Sequence, residues 1–410
     1  MWYTRRSVAP PEPGGRVQLR EVLVKRYRLA VPARINVLGN PADGNEGDFQ
    51  TISTAIDMWA GAWVEPSEVL EFDEYRRGPD GQLVLTGHVE DPAMALAADG
   101  RATLQKAAVR RLLSYSPEFA AKLGRQKVRL ATWTDVPRLS GLGGSSMLII
   151  LTLAALRAAY ELDPRVHNDY LLAEMTQRVE GKDLGIACGF ADRYVPIFGG
   201  LAYIDYRGKL LHRPIGEEPY CTYERLDPYV GELPLVVCST GIDRASGDVH
   251  GCMRPRYLEE YAAYEKAGPG SERPFMLRVM ERAGETAWRG KIALLAGDLE
   301  TFGRLMNENH RLVNEMMAYC GLRDDGVRIT NRLIEAALAA GALGAKLTGA
   351  GGRGSVFALA RPGEEGQLAA AFGEAARELG LSQAVVTVPR LARQGLRVEE
   401  LAPEAVLARQ

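Results

Sequence analysis

One short segment, SGLGGSSM at Ser140–Met147, constrains the fold more than any other part of the sequence. It follows Lys127–Thr134, where polar and apolar residues alternate as in a half-buried strand, and precedes an apolar run that predicts a helix through Tyr160. Glycines let backbone N–H groups turn inward, and the start of the helix adds partial positive charge, so the segment is suited to hold a phosphate. A tight strand-to-helix connection with a serine N-cap explains the same residues equally well.

Two common nucleotide-binding motifs do not describe the glycine-rich segments. No Gly-Lys-Ser/Thr follows the first segment, which excludes a Walker A loop, and Ser146 stands where the dinucleotide pattern G-x-G-x-x-G needs its third glycine. A second segment, KLTGAGGRGSVFAL, does contain that pattern, at Gly349, Gly351 and Gly354. A β-prone run follows it where a dinucleotide site needs a helix. Taken alone, this second segment predicts a glycine hairpin between two strands.

A third segment, PARINVLGNPADGNEGDF at Pro32–Phe49, follows a predicted strand at Val22–Val31 and is predicted to be an irregular loop. It concentrates polar side chains and glycines: Arg34, Asn40, Asp43, Asn45, Gly39, Gly44 and Gly47. Polar groups at this density bind a polyol or, more commonly, satisfy the backbone of an irregular loop. The residues by themselves leave both interpretations open.

The order of the predicted elements indicates two α+β domains, because strands and helices are mixed without strict βαβα alternation. A length of 410 residues agrees with two domains. We predict a flexible N-terminal tail at 1–21, an N-terminal domain at 22–225 that carries the substrate and phosphate segments, and a C-terminal domain at 226–400.

Composition argues against several kinds of partner. The 50 basic residues are balanced by 52 acidic ones, whereas a nucleic-acid-binding protein normally carries a basic excess. The longest apolar run, Met147–Leu156, is too short to span a bilayer, and the N-terminus shows no apolar signal segment. The five cysteines are far apart and form no C-x-x-C pair. We therefore expect reduced thiols and a cytoplasmic location.

Together, in this order and spacing, the three segments resemble the motifs of the GHMP kinase superfamily. The first motif is matched by PARINVLGNPADG, the second by PRLSGLGGSSM from Pro137, and the third by KLTGAGGRG from Lys346. The similarity runs from about residue 24 to residue 390. It implies a two-domain GHMP kinase fold of the α+β class, with an N-terminal ribosomal-protein-S5-domain-2-like domain and a C-terminal ferredoxin-like domain.

Within that superfamily the chain is most similar to the glucuronokinases. Asn-Pro-x-Asp-Gly at Asn40–Gly44 stands where galactokinases carry Glu-His-Thr-Asp. The extra glycine of GLGGSS is also similar to glucuronokinases, as are ADRYVPIFGGLAYID at Ala191–Asp205 and ASGDVHGCMRPRYLEE at Ala245–Glu260.

The resemblance implies roles for the acidic residues and their neighbours. Asp192 matches the acid–base aspartate of the family, and Arg34 matches the arginine that sits beside it. From the residues alone, a structural role for Asp192, as an N-cap or as a partner of Arg193, is as well supported as a catalytic role. Glu180 matches the magnesium carboxylate, with Ser145 or Ser146 completing the site, since Mg²⁺ prefers oxygen ligands. A solvated helix end is the alternative for Glu180.

The remaining implied contacts concern ATP and the sugar. The implied ATP and phosphate contacts are Pro137, Gly141, Leu142, Gly143, Gly144, Ser145, Ser146, Lys346, Gly349, Gly351 and Gly352. The implied substrate contacts are Asn40, Asp43, Gly44, Asp192 and Arg193. A uronate carboxylate also needs a partner suited to bidentate pairing. The candidates are Arg193, Arg254 and Arg256.

The resemblance therefore implies an ATP- and Mg²⁺-dependent kinase that phosphorylates the anomeric hydroxyl of a sugar, with D-glucuronate as the first choice. The alternatives are the same chemistry on galacturonate, galactose, fucose or a heptose phosphate, or a non-catalytic sugar sensor. The expected partners are ATP and the sugar, without nucleic acid or membrane. We expect a monomer or a homodimer.

Overall fold

The computed structural model describes residues 24–44, 49–78, 80–137, 140–186, 188–209, 220–242, 246–349 and 354–402, without the side chains of 246–248. The predicted tail at 1–21 lies outside these residues, as do four residues named above: Asn45, Gly47, Gly351 and Gly352. Strands and helices are mixed along the chain, which confirms the predicted α+β class.

The strands are β1 Tyr27–Leu38, β2 Gln50–Ser67, β3 Leu70–Arg77, β4 Leu83–Asp91, β5 Lys127–Thr134, β6 Leu201–Asp205, β7 Thr222–Arg225, β8 Leu235–Ser239, β9 Gly344–Leu347, β10 Ser355–Leu359, β11 Val385–Thr387 and β12 Arg397–Glu400. The helices are α1 Thr103–Tyr115, α2 Pro117–Arg125, α3 Gly144–Ala159, α4 Asp169–Arg178, α5 Ala191–Phe198, α6 Asp227–Val230, α7 Ser246–Ala267, α8 Phe275–Leu295, α9 Leu299–Tyr319, α10 Asp325–Ala339 and α11 Glu365–Glu378. A 3₁₀ turn, Ala42–Gly44, and a π-helical turn, Val179–Asp183, complete the described elements.

The described strands form two sheets. The first has eight strands, with β12-β1-β2-β5-β3-β4 in order and β6 and β7 attached beside β2. The second has four strands in the order β11-β8-β10-β9, and all of its pairs are antiparallel. Because β12 pairs with β1, the end of the predicted C-terminal domain contributes a strand to the sheet of the N-terminal half. The domain bounds themselves stay a prediction.

Strand β1 corrects the loop that was predicted to begin at Pro32. The strand continues to Leu38 and pairs antiparallel with β2, so that Arg34 lies opposite Ala55 and Asn36 opposite Ser53. Ala33, Ile35 and Val37 are buried apolar residues that alternate with the two polar ones. Such alternation is the period of a strand, and it places Arg34 and Asn36 on one face.

Helix α3 forms the centre of the larger core. It begins at Gly144, with Gly143 at the N-cap, and its apolar residues from Met147 to Leu156 are buried except Leu148. The helix packs against β1 and β2 on one side and against α1 on the other. The apolar run that was predicted to be a helix is thus buried inside the protein.

The C-terminal half packs its helices on the second sheet and on the segment Pro32–Phe49. Helices α10 and α11 cover the second sheet, while α9 contacts both α8 and β9. Asp298 caps α9 by accepting a hydrogen bond from the N–H of Thr301 at 2.8 Å. Val249 and Met253 of α7 share an apolar cluster with Ala42. Helix α7 therefore covers the 3₁₀ turn Ala42–Gly44. In the described part of the chain, no helix has the length and apolar character needed to cross a membrane.

Candidate active site

The three glycine-rich segments meet where β1, the start of α3 and the end of β9 come together. A Cβ on Gly349 would lie 3.0 Å from the carbonyl oxygen of Gly141, and both glycines have positive φ, +66° and +74°. The Ser355 hydroxyl donates to the carbonyl oxygen of Ser140 at 2.7 Å. The backbones of the second and third motifs are therefore in contact, at a distance that only glycine permits.

Asp192 stands in the first turn of α5, facing β1. Its Oδ1 atom accepts hydrogen bonds from Nε of Arg34 at 2.7 Å and from Nδ2 of Asn36 at 3.4 Å, and it lies 2.5 Å from Nη2 of Arg34. The side chain of Arg34 is 2 % exposed, whereas that of Asp192 keeps 20 % of its surface accessible. Asp192 is not the N-cap of α5, because that position is occupied by Phe190 and Asp192 lies inside the first turn. Asp192 is thus an accessible carboxylate fixed by a buried guanidinium.

Two arginines control the charge of Asp192. Burial alone would raise the pKa of this carboxyl, but the charges of Arg34 and Arg193 outweigh it and hold the pKa below its ordinary value. Arg34 is itself fixed by donating from Nη1 to the carbonyl oxygen of Gly141 at 2.5 Å. Asp192 is therefore ionised at neutral pH, in the form that accepts a proton.

Glu180 lies in the π-helical turn after α4, with its carboxylate facing the start of α3. Its Oε1 accepts from the hydroxyl of Ser145 at 2.6 Å, and its Oε2 accepts from the hydroxyl of Ser146 at 2.8 Å. The residue is 1 % exposed, which excludes the solvated helix end considered from sequence. The carboxylate and two hydroxyls form a set of hard oxygen donors, the chemistry that Mg²⁺ prefers. These oxygen donors fit the Mg²⁺ ion that the motifs imply. Both serine hydroxyls contact the Glu180 carboxylate, so either could complete the site.

Arg193 holds Glu180 from the other side. Its Nη2 donates to Oε2 of Glu180, its Nη1 donates to the carbonyl oxygen of Gly189, and its side chain has no exposed surface. Arg193 was named from sequence as a substrate contact. Because the guanidinium is buried against Glu180, this placement favours a role in holding that carboxylate.

Lys346 and Asn40, which the resemblance implied as contacts of ATP and of the sugar, are hydrogen-bonded to each other. The Lys346 ammonium is buried and donates to Oδ1 of Asn40 at 2.6 Å and to the carbonyl oxygens of Leu347 at 3.0 Å and Asn36 at 3.4 Å. Burial holds the pKa of Lys346 well below its ordinary value. Nδ2 of Asn40 donates to the carbonyl oxygen of Gly349 at 3.0 Å. These two side chains connect the first motif to the third, and their donors point into the protein.

Asp43 and Gly44 lie beside α5 rather than in open space. Oδ2 of Asp43 accepts a hydrogen bond from the N–H of Ala191 at 3.0 Å, which fixes the start of the helix that carries Asp192. Burial and the nearby charge of Asp192 raise the pKa of Asp43 to about 6. A Cβ on Gly44 would lie 2.8 Å from Cε1 of His250, so the histidine ring rests against this glycine.

In the predicted phosphate-binding segment, the Leu142 side chain belongs to the apolar core, and the backbone is what remains available to a ligand. Leu142 has no exposed surface, so its side chain packs in the core while its carbonyl oxygen accepts from the N–H of Arg34 at 3.4 Å. Gly143 has a φ of +91° and lies against the Arg34 side chain. Pro137 precedes the segment, and its carbonyl oxygen accepts from the N–H of Ser140 at 3.4 Å. Contact with phosphate would therefore come from the backbone and from the two serines.

Sequence reasoning missed three residues of this site: Asn36, Thr348 and His250. Thr348 Oγ1 accepts from the N–H of Asn36 at 3.2 Å, which joins β1 to the third motif. His250 is 8 % exposed, and burial lowers its pKa to about 4, so its ring is neutral at pH 7. Asn36 lies two residues after Arg34, so a strand over this segment places both side chains on the same face. Predicting a strand here would therefore have identified Asn36 as a site residue.

The two other candidate arginines lie on α7. Arg254 stands one helical turn after His250 and acts on that ring electrostatically. Arg256 lies on the exposed surface, where it donates to the Tyr319 hydroxyl at 3.0 Å and forms an ion pair with Glu260 at 3.1 Å. Of these two, Arg254 is the one that the helix places near the Asp192 region.

Two family models match the chain. The model described as the GHMP kinases N terminal domain matches residues 104–200, and the model described as GHMP kinases C terminal matches residues 291–380. The first match includes the glycine-rich segment Ser140–Met147, Glu180 and Asp192, and the second match includes the glycine-rich segment from Lys346.

Individual proteins are similar over longer stretches. A protein from Arabidopsis thaliana named "Probable glucuronokinase 2" is 30% identical over 339 residues, which cover 81% of this chain and 84% of that protein. Mevalonate kinase from Pyrococcus abyssi is 27% identical over 282 residues, covering 68% of this chain and 70% of the kinase. Among solved structures, galactokinase from Lactococcus lactis in complex with galactose superposes with a TM-score of 0.67 at 18% identity, covering 92% of this chain and 95% of that chain. The last similarity is one of fold.

Proposed function

Because the chain belongs to the GHMP kinase family, we propose that it transfers the γ-phosphoryl group of ATP to the anomeric hydroxyl of D-glucuronate. The anomeric oxygen forms a bond to the γ-phosphorus, and the bond from that phosphorus to the β,γ-bridging oxygen breaks. The hydroxyl proton goes to Asp192, and the products are glucuronate 1-phosphate and ADP.

The observation that carries the proposal is the combination of charge and access at Asp192. Its Oδ1 is occupied by Arg34 and Asn36, while the side chain keeps 20 % of its surface accessible. The remaining oxygen, Oδ2, is the atom to which a substrate hydroxyl would pass its proton. Arg34 stabilises the negative charge that develops as the proton leaves, because a buried guanidinium is already oriented before the reaction.

The phosphate groups of ATP are proposed to lie on the backbone of residues 140–144 and at the start of α3. Backbone N–H groups and the helix N-terminus favour negative charge there. Glu180, with Ser145 or Ser146, would hold Mg²⁺, which when bound neutralises charge on the β- and γ-phosphates. The contact between Gly141 and Gly349 fixes this backbone before nucleotide arrives.

The choice of glucuronate rests on the sequence similarity and on the placement of the arginines. A relative that covers 81% of this chain is named as a probable glucuronokinase. Arg254 stands on α7 one helical turn after His250, whose ring rests against Gly44 and feels the charge of Asp192. We assign the carboxylate of the sugar to Arg254, because a guanidinium pairs with a carboxylate through two parallel hydrogen bonds.

The test is an ADP-release assay with ATP, Mg²⁺ and a panel of free sugars. The panel contains glucuronate, galacturonate, galactose, fucose, glucose and a heptose phosphate, so that each alternative substrate has its own reading. The proposal requires the highest kcat/KM with glucuronate. Release of ADP with none of these sugars would contradict the kinase proposal, and faster turnover of another sugar would contradict the choice of glucuronate alone.

A cytoplasmic location is proposed on the same chemistry. The five cysteines are all free thiols, the state expected in a reducing compartment where ATP is available. The oligomeric state, monomer or homodimer, stays a prediction.

A further inference from the structure

Arg193 lies between the two carboxylates to which the proposed function gives a role. Its Nη2 donates to Oε2 of Glu180, and its Nη1 lies 3.9 Å from Oδ2 of Asp192. Its Nε atom is buried and has no hydrogen-bond partner in the part of the chain that the structure describes. A buried guanidinium with one donor unused is held in place by charge more than by a complete set of hydrogen bonds.

The guanidinium lies among carboxylates. Asp192 and Glu180 are paired with Arg34 and Arg193, and Asp43, whose pKa is raised to about 6, adds a third carboxyl group nearby. Arg34 is directed at Asp192, so Arg193 supplies the positive charge against Glu180. A carboxylate as buried as Glu180 needs such a partner, because an unpaired buried charge is strongly unfavourable.

We propose that Arg193 supplies, in the nucleotide-free protein, the positive charge that Mg²⁺ supplies in the complex, and thereby prevents the metal from binding ahead of ATP. A divalent cation that entered beside Glu180 without nucleotide would meet a carboxylate whose charge Arg193 already compensates, and would lie against the charge of that guanidinium. Entry together with the phosphates of ATP brings the negative charge that compensates for both the metal and the guanidinium. The inference rests on the metal role of Glu180 in the proposed function, and it does not depend on which sugar is phosphorylated.

Repulsion between the Arg193 guanidinium and a metal ion should change the metal affinity by a measurable amount. A divalent cation held by Glu180 would lie close to the Arg193 guanidinium, because Nη2 donates to Oε2 of the same carboxylate. Like charges at short range repel each other, and a buried site screens that repulsion less than water does. Removal of the guanidinium charge should therefore strengthen metal binding at least about tenfold. A residue that served only to fill space would not produce a gain of affinity when it is replaced.

The test measures Mn²⁺ binding without nucleotide, from the electron paramagnetic resonance signal of the free ion. Arg193→Gln should bind Mn²⁺ at least about tenfold more tightly than the wild type, because the amide keeps a donor near Glu180 and loses the charge. Arg193→Lys is the matched control and should behave as the wild type. Adding Glu180→Gln to Arg193→Gln should abolish the gain, because the metal carboxylate is then absent.

Two results would overturn the inference. One is unchanged or weaker Mn²⁺ binding by a folded Arg193→Gln variant, with folding checked by thermal unfolding. The other is tight, micromolar binding of Mn²⁺ by the wild type in the absence of nucleotide, a measurement that needs no variant. Failure of the sugar assay would leave this binding result unaffected, so the two proposals can fail separately.

Discussion

Two clusters of residues from the family motifs differ in whether their polar atoms remain available to a ligand. The Asp192 cluster, which consists of Arg34, Asn36 and Asp192, is held from one side and keeps an accessible carboxylate. The Lys346 cluster, which consists of Asn40, Lys346 and Gly349, is closed on itself by hydrogen bonds from Lys346 to Asn40 and from Asn40 to Gly349. A residue that belongs to a family motif is therefore not necessarily a ligand. The difference lies in whether its polar atoms are already used by the protein.

The largest effect is expected at the centre of the Asp192 cluster. Asp192→Asn removes the base while keeping the shape and a hydrogen-bond acceptor for Arg34. Loss of a general base should lower kcat about 10²- to 10⁴-fold. Nucleotide affinity and thermal stability should change little, and both should be measured beside turnover. If the variant keeps near-wild-type kcat, Asp192 is a structural partner of Arg34 and the comparison between the clusters fails.

A smaller effect, on metal use, is expected at Glu180. Glu180→Gln should raise the Mg²⁺ concentration needed for half-maximal activity about 10- to 100-fold, because the ligand charge is lost. Excess Mg²⁺ should restore part of the activity. The test is a Mg²⁺ titration at fixed ATP, with Glu174→Gln as a control at a buried carboxylate that pairs with Lys209 instead. An unchanged Mg²⁺ dependence in Glu180→Gln would place the metal elsewhere.

The two arginines of α7 sharpen the assignment of the sugar carboxylate. Arg254→Gln should lower kcat/KM for glucuronate at least about tenfold relative to glucose, since a site built for a charged group loses its partner. Arg256→Gln on the same helix is the control, because Arg256 pairs with Glu260 at the surface. Competition between the two sugars measures the ratio directly. An equal effect of both substitutions would withdraw the assignment to Arg254.

The smallest effect on catalysis is expected from the Lys346 cluster. Lys346→Met keeps the length of the side chain but leaves Oδ1 of Asn40 without its donor. An unsatisfied buried polar group should lower the free energy of unfolding by about 1–3 kcal/mol. The KM for ATP should stay within about threefold of the wild type, which corresponds to less than 1 kcal/mol. A large rise in that KM with unchanged stability would show that Lys346 meets the nucleotide.

Much of the fold could be predicted from local patterns. The strand at Lys127–Thr134 has the predicted bounds, and the apolar run after the glycine-rich segment Ser140–Met147 forms the predicted helix. The error at β1 arose because Arg34 and Asn36 were treated as loop residues. Polar residues inside a buried strand are stable only with partners from distant parts of the chain, here Asp192 and Thr348. A local pattern cannot supply those partners.

The site could be predicted in its motifs and less well in its internal contacts. The resemblance to the family implied that Arg34 lies beside Asp192 and Glu180 beside the serine pair, and both contacts are present. It could not show that Asn40 and Lys346 satisfy each other, because that pairing joins residues 306 positions apart. His250 was missed for the same reason, since its contact with Gly44 depends on how α7 packs over the turn Ala42–Gly44.

The central claim, that Oδ2 of Asp192 accepts the proton of an anomeric hydroxyl, is tested most directly by the position of the phosphate in the product. The measurement is a phosphorus–proton correlation NMR spectrum of the product formed from glucuronate, ATP and Mg²⁺ by the wild-type chain. The account predicts coupling of the new phosphorus to the anomeric proton, and no such product with Asp192→Asn over the same period. A phosphate on any other hydroxyl, or the same 1-phosphate formed at the same rate by Asp192→Asn, would contradict it.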